Sequence, residues 1–153
     1  MLNMDIESIR IRAAEDADQA AVVALWEACG LTRPHNDPAT DLHFARRGAT
    51  SDVLVADRDG RIVAAVMVGH DGHRGAVYYV AVDPALRGHG LGRLIMQAAE
   101  DWLLARGVWK LNLMVRRDNE AVKGFYTMLG YGEDEVSVLS KRLQPMPHVI
   151  VRA

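Results

Sequence analysis

Apolar and polar positions recur along the chain in segments of different period, and the period assigns the elements. Ile6, Ile9 and Ile11 stand among polar residues, which predicts a short strand over 6–13. The acidic run Glu15-Asp16-Ala17-Asp18 suits the positive end of a helix. The spacing from Gln19 to Cys29 predicts that helix, stopped at Gly30. A loop with Pro34 and Pro38 follows, and Pro38 opens a second helix to about Arg47, with Gly48 beyond it. From Asp52 the pattern turns β-rich: runs over 52–57 and 61–69 are joined by Arg58-Asp59-Gly60, and Asp-Gly is a strong hairpin signal. After a polar turn over 70–75, residues 76–82 are apolar on both faces, as in a central strand. Leu91, Leu94, Ile95, Ala98, Trp102 and Ala105 recur on one helical face before Gly107. Residues 108–115 predict a strand, Asp118-Asn119 caps a helix to Leu129 and Gly130, and residues 136–143 predict a final strand. Residues 144–148 read as a loose tail, and Val149-Ile150-Val151 as either a disordered end or an edge strand. The order β-α-α-β-β-β-α-β-α-β describes one mixed α/β domain.

A chain of 153 residues buries a core without staples. The net charge of -2 and a pI near 6.3 argue against nucleic acid or an anionic membrane as partner, since both call for a basic excess. The single cysteine, Cys29, forms no disulfide within the chain and reads as a structural thiol. Residues 1–5 lack the basic-then-apolar order of a signal peptide, and no apolar run approaches the roughly 20 residues of a membrane helix. The expected compartment is the cytoplasm. The six histidines show no paired ligand spacing, so no metal is expected.

The strongest chemical signal is Arg87-Gly88-His89-Gly90-Leu91-Gly92, a glycine-rich turn between a strand and a long helix. Glycines let a ligand approach the backbone, and the helix N-terminus adds partial positive charge, so the turn suits a phosphate or pyrophosphate. It is not a P-loop, because Gly-Lys-Ser/Thr is absent. It is not a dinucleotide fingerprint either: Arg93 stands where the third glycine belongs, and the strand 111–114 carries no acid.

At this turn the chain resembles the GNAT N-acetyltransferase family, whose signature Arg/Gln-x-x-Gly-x-Gly/Ala lies between a central strand and a long helix. A second signature, Asn-x-x-Ala-x-x-x-Tyr-x-x-x-Gly-Phe/Tyr, is matched by Asn119 to Tyr131, with Val122 at the alanine position. The resemblance covers residues 7–143 and implies one domain there, with 1–6 and 144–153 as terminal extensions. It implies the GNAT fold: an α/β structure whose mixed sheet has a bulged, splayed central strand and about four flanking helices. Acetyl-CoA is implied as cosubstrate. Its pyrophosphate would lie on Gly88, His89, Gly90, Leu91 and Gly92, flanked by Arg87 and Arg93. The pantetheine arm would run beside Val80 and Val82 with Asn119 bonding to it, and Tyr126 would be the general acid. Segments 25–29, 33–38 and 71–75 look like the YpeA branch of bacterial members. Small members often pair, which adds a homodimer as an expectation.

The resemblance implies an amine acceptor, small-molecule or peptide, which must be neutral to attack. A lysine amine of pKa ~10.4 is neutral in about one molecule per thousand near neutral pH, an α-amine of ~7.8 in roughly a quarter. Many family members place a glutamate on the strand before the glycine turn; here 75–82 carries no acid. Asp71, His73 and Tyr78 are the base candidates. Arg33, His35, Asn36 and Asp37, in a loop stiffened by two prolines, are candidates for acceptor recognition. Two further readings remain beside the enzyme: a non-catalytic acyl-CoA-binding module, and a nucleotide-binding domain using the same turn.

Overall fold

The computed structural model describes residues 4–145. A five-stranded sheet runs in the order β1 (Ile9–Ala13), β2 (Ser51–Arg58), β3 (Arg61–His70), β4 (Gly75–Val82) and β5 (Leu111–Asn112). The first four are antiparallel neighbours; β5 lies parallel to β4. Helices α1 (Gln19–Ala28) and α2 (Pro38–Arg47) cover one face, and α3 (Leu91–Leu104) and α4 (Glu120–Met128) the other. The expected mixed α/β sheet with four flanking helices is therefore present. Covering both faces explains why β2 and β3 are apolar at consecutive positions: Val53 and Val55 pack against α1 and α2, while Leu54 and Ala56 face α3. The β2–β3 turn has positive φ at both Asp59 (51°) and Gly60 (87°), the two-residue turn that matches strand twist. Arg12 joins three elements, pairing with Asp18 at 2.6 Å and Asp57 at 3.2 Å.

Four sequence expectations change. Ile6–Ser8 is a 3-10 turn, not strand, because Asp5 Oδ1 takes the Glu7 amide at 2.9 Å and competes with the ladder; β1 begins at Ile9. The fully buried stripe of α3 is Leu91, Ile95, Met96, Ala99 and Leu103. Leu94, Ala98 and Trp102 only border the core, and the Arg106 guanidinium covers the outer Trp102 ring at 3.6 Å. Only two residues of 108–115 pair as strand, because β4 bulges just beyond them. Residues 136–143 form no strand, and Val136, Val138, Leu139 and Leu143 are exposed. Their β-propensity marks a fit to a half-covered pleated surface, and among the described residues no strand pairs with them. Residues 146–148 and Val149-Ile150-Val151 lie outside the described residues.

Candidate active site

β4 organises the site. Its register against β3 passes from Ala65↔Ala81 to Met67↔Tyr78, so Tyr79 and Val80 together oppose Val66. This is a β-bulge, and Tyr79 takes a left-handed φ of 52°. The extra residue flips the alternation. Val77 belongs to the core under α3, yet Tyr79 and Ala81 belong to the core under α1 and α2, while Val80 and Val82 face α3. Tyr78, opposite Met67, shares Met67's face, toward α1 and α2. Tyr78 is exposed, so the expectation of a strand buried on both faces fails at the bulge.

The other edge of β4 pairs with β5 only at Gly75↔Leu111 and Ala76↔Asn112, leaving the edge from Val77 to Val82 open. The opening is a wedge that begins beyond Ala76, runs past the bulge and has its mouth at the turn after Val82. From Val82 to Tyr79 is about 10 Å of strand at ~3.3 Å per residue.

At that mouth Gly88 and Gly90 have φ of 85° and 84°, a conformation that costs L-residues about 1–2 kcal/mol. Gly90 is the N-cap of α3 and no side chain caps the helix there; by contrast Asp37 caps α2 and Asn119 caps α4. The first amides of α3, at Leu91, Gly92 and Arg93, precede the first helical acceptor and point to the turn. Arg87 and Arg93 are exposed beside it and His89 is half-buried. Leu91 offers only its backbone, since its side chain is in the core. Gly92 serves packing: a Cβ there would stand 2.8 Å from the Phe125 ring, which seats α4 on the start of α3.

Tyr126 on α4 is 9% exposed, edge-on to Phe125 at 5.0 Å and Tyr131 at 5.6 Å between centroids. Desolvation pushes its phenol up to about 12, because the phenolate would lose its hydration. Asn119 accepts the Val122 amide at 3.2 Å through Oδ1.

The other predicted residues scatter. Asp71 and His73 occupy the exposed β3–β4 turn, seven and five residues before Tyr78. Asp71 Oδ1 accepts the His73 and Arg74 amides at 2.8 Å, and these bonds hold its carboxyl below the usual range. In the 33–37 loop, Arg33 donates to the Gly30 and Thr32 carbonyls at 2.8 and 2.9 Å, closing the end of α1. Asp37 Oδ2 caps α2 through the Thr40 amide at 3.3 Å. His35 and Asn36 are exposed. Sequence reasoning passed over a second cluster at the bulge. The Tyr79 hydroxyl donates to Asp41 Oδ2 at 2.7 Å, and the Tyr79 ring stacks on Trp26 at 4.0 Å. The available signal was Asp37 and Asp41, four apart on one face of a helix. Among the described residues no group of three or more His, Cys, Asp or Glu is gathered to hold a metal ion, and no helix is long and apolar enough to cross a membrane.

A mixed sheet with a bulged β4, an open wedge and an uncapped glycine turn at its mouth defines the class: an α/β acetyltransferase fold. The model of the acetyltransferase (GNAT) family matches residues 20–131, and the chain belongs to that family. An acetyltransferase of Yersinia enterocolitica is 44% identical over 135 residues, which is 88% of this chain and 96% of the relative. Among solved structures, glucosamine-6-phosphate N-acetyltransferase from Arabidopsis thaliana superposes with a TM-score of 0.67 at 23% identity, covering 89% of this chain and 99% of that one. AAC(6')-Iy in complex with the bisubstrate analogue CoA-S-monomethyl-acetylneamine gives 0.75 at 16%, covering 88% and 97%. These two likenesses are of fold. Acetyl transfer is the family's activity, and acetyl-CoA its donor.

Proposed function

We propose that this chain transfers the acetyl group of acetyl-CoA to a primary amine by direct attack within a ternary complex. The observation that carries the reading is the open β4 edge from Val77 to Val82 with the uncapped start of α3 at its mouth. The pyrophosphate lies on the amides from Gly88 to Arg93, with Arg87 and Arg93 alongside. The pantetheine arm takes the free edge beside Val80 and Val82, with Asn119 on its α4 side, and the thioester comes to the bulge.

Tyr126 then serves the leaving group. A phenol raised to about 12 stays protonated at neutral pH and assists departure by donating a hydrogen bond to the sulfur; a CoA thiol has a reference pKa of ~8.5, so the thiolate leaves readily and takes its final proton from solvent. Tyr126 belongs to the α3/α4 side of the sheet, and Tyr78 and Tyr79 to the α1/α2 side. Acid and acceptor therefore reach the thioester from different sides of the sheet, which keeps them apart. Tyr78 stands closer to the bulge than Asp71 or His73 and relays the amine's proton by way of water, its oxygen accepting one proton as its hydroxyl releases another to solvent. Arg33 and Asp37 shape the acceptor wall, and His35 and Asn36 meet the acceptor.

Thiol release measured with a panel of amines, together with mass spectrometry of the product, tests the reading. Acetylated amine is the expected result. A second reading, an acyl-CoA-binding module, draws on the absence of a carboxylate from β4. Binding of acetyl-CoA without acetylation of any amine selects it.

A further inference from the structure

We propose that Asp41, held by the Tyr79 hydroxyl and backed by Asp37, makes this site selective for acceptors with a second positive charge besides the reacting amine. The inference rests on the acetyl-transfer reading above.

Three observations carry it. First, Asp41 lies beside the β4 bulge, on the α1/α2 side of the sheet. It sits in the first turn of α2, half-buried, and its Oδ2 accepts from Tyr79, the residue at the centre of the β4 bulge. Second, its charge is uncompensated. Among the described residues Asp16, Asp18, Asp57, Asp83 and Asp134 each pair with an arginine or lysine, whereas neither Asp41 nor Asp37 has an ion-pair partner. Both carboxylates also act on the Tyr79 phenol, which burial first and then the Asp41 bond raise, keeping it a neutral donor. A half-buried carboxylate with one hydrogen-bond donor and no cation favours an incoming ammonium and disfavours an anion. Third, the Tyr79 ring that holds Asp41 is packed on a buried aromatic. Trp26 is fully buried against Tyr79, and its Nε1–H has no partner within the protein. An unpaired buried donor is tolerated at about 1–3 kcal/mol, in the same cluster as the left-handed Tyr79.

The chemistry separates two roles. The reacting amine must be neutral when it attacks, and an ion pair with Asp41 would hold it as an ammonium. Asp41 therefore anchors a different cationic group, which leaves the reacting nitrogen free at the thioester. Diamines, polyamines and polyamino sugars fit this description. Amino-sugar phosphates do not.

The test uses the full chain with acetyl-CoA and five acceptors: putrescine, spermidine, neamine, n-butylamine and glucosamine-6-phosphate. We expect a polycation to have the highest kcat/KM. Asp41→Asn keeps an acceptor for Tyr79 and removes the charge. It should raise KM for that polycation about tenfold, the size of a 1.4 kcal/mol contact. The selectivity ratio over n-butylamine should fall with it, and Tyr79→Phe should do the same more weakly. Equal effects of Asp41→Asn on both amines, preference for glucosamine-6-phosphate, or no acetylation of any polycation overturns the proposal. Calorimetric titration of acetyl-CoA in the same samples separates the failures. Lost donor binding defeats the acetyl-transfer reading; intact donor binding with unchanged charge selectivity defeats only the role of Asp41.

Discussion

The Tyr126 phenol lies between Phe125 and Tyr131 with its ionisation suppressed by burial. Tyr126→Phe keeps the ring and removes only the proton, so kcat should drop by about 10²-fold, within the range of a lost general acid. The dissociation constant for acetyl-CoA should stay within error, and turnover equal to wild type at every pH removes the acid role. The same burial has a stability consequence. Above pH ~10 the unfolded chain releases phenol protons that folded Tyr79, Tyr126 and Tyr131 retain. Stability should therefore fall as pH rises from about 10 through about 12. Urea unfolding at pH 9 and 11 should show a smaller loss for Tyr126→Phe than for wild type, and an identical loss contradicts the burial argument. Tyr126, Gly88 and Gly90 stand out as candidates in the sequence because each sits in a fixed local spacing. The Tyr79–Asp41 bond does not, since it joins residues 38 apart across a bulge that no local pattern encodes.

Helix α2 brings Asp41 to the bulge, and its start depends on Asp37, whose carboxylate takes the Thr40 amide. Asp37→Ala should cost about 1 kcal/mol, or about 2–4 °C in Tm for a domain of this size. It should weaken acceptor binding more than acetyl-CoA binding, because the proposed donor site is on the α3/α4 side of the sheet; an unchanged Tm shows that the cap does not hold α2. Capped helices were the most legible elements. Asp37 with Pro38 and Asn119 with Gly130 fix α2 and α4 to within about a residue, as local amide satisfaction requires. Strands were less legible at the margins. Ile6–Ser8, most of 108–115 and all of 136–143 have strand-like composition, but a strand exists only where a neighbour completes its ladder.

Across the whole molecule, the mixed sheet and its two helical layers follow from element order and from β2 and β3 being apolar on both faces. The wedge does not follow from that order, since it arises where one inserted residue turns β4 from its partner. Its function as the donor site is the centre of the account, and thermal unfolding with and without acetyl-CoA tests it most directly, with ATP and NAD as controls. A ligand specific for the folded state at 100 times its Kd adds about 2.7 kcal/mol, a rise of several degrees. The account predicts that rise with acetyl-CoA and none with ATP or NAD. An unchanged Tm at millimolar acetyl-CoA would contradict it.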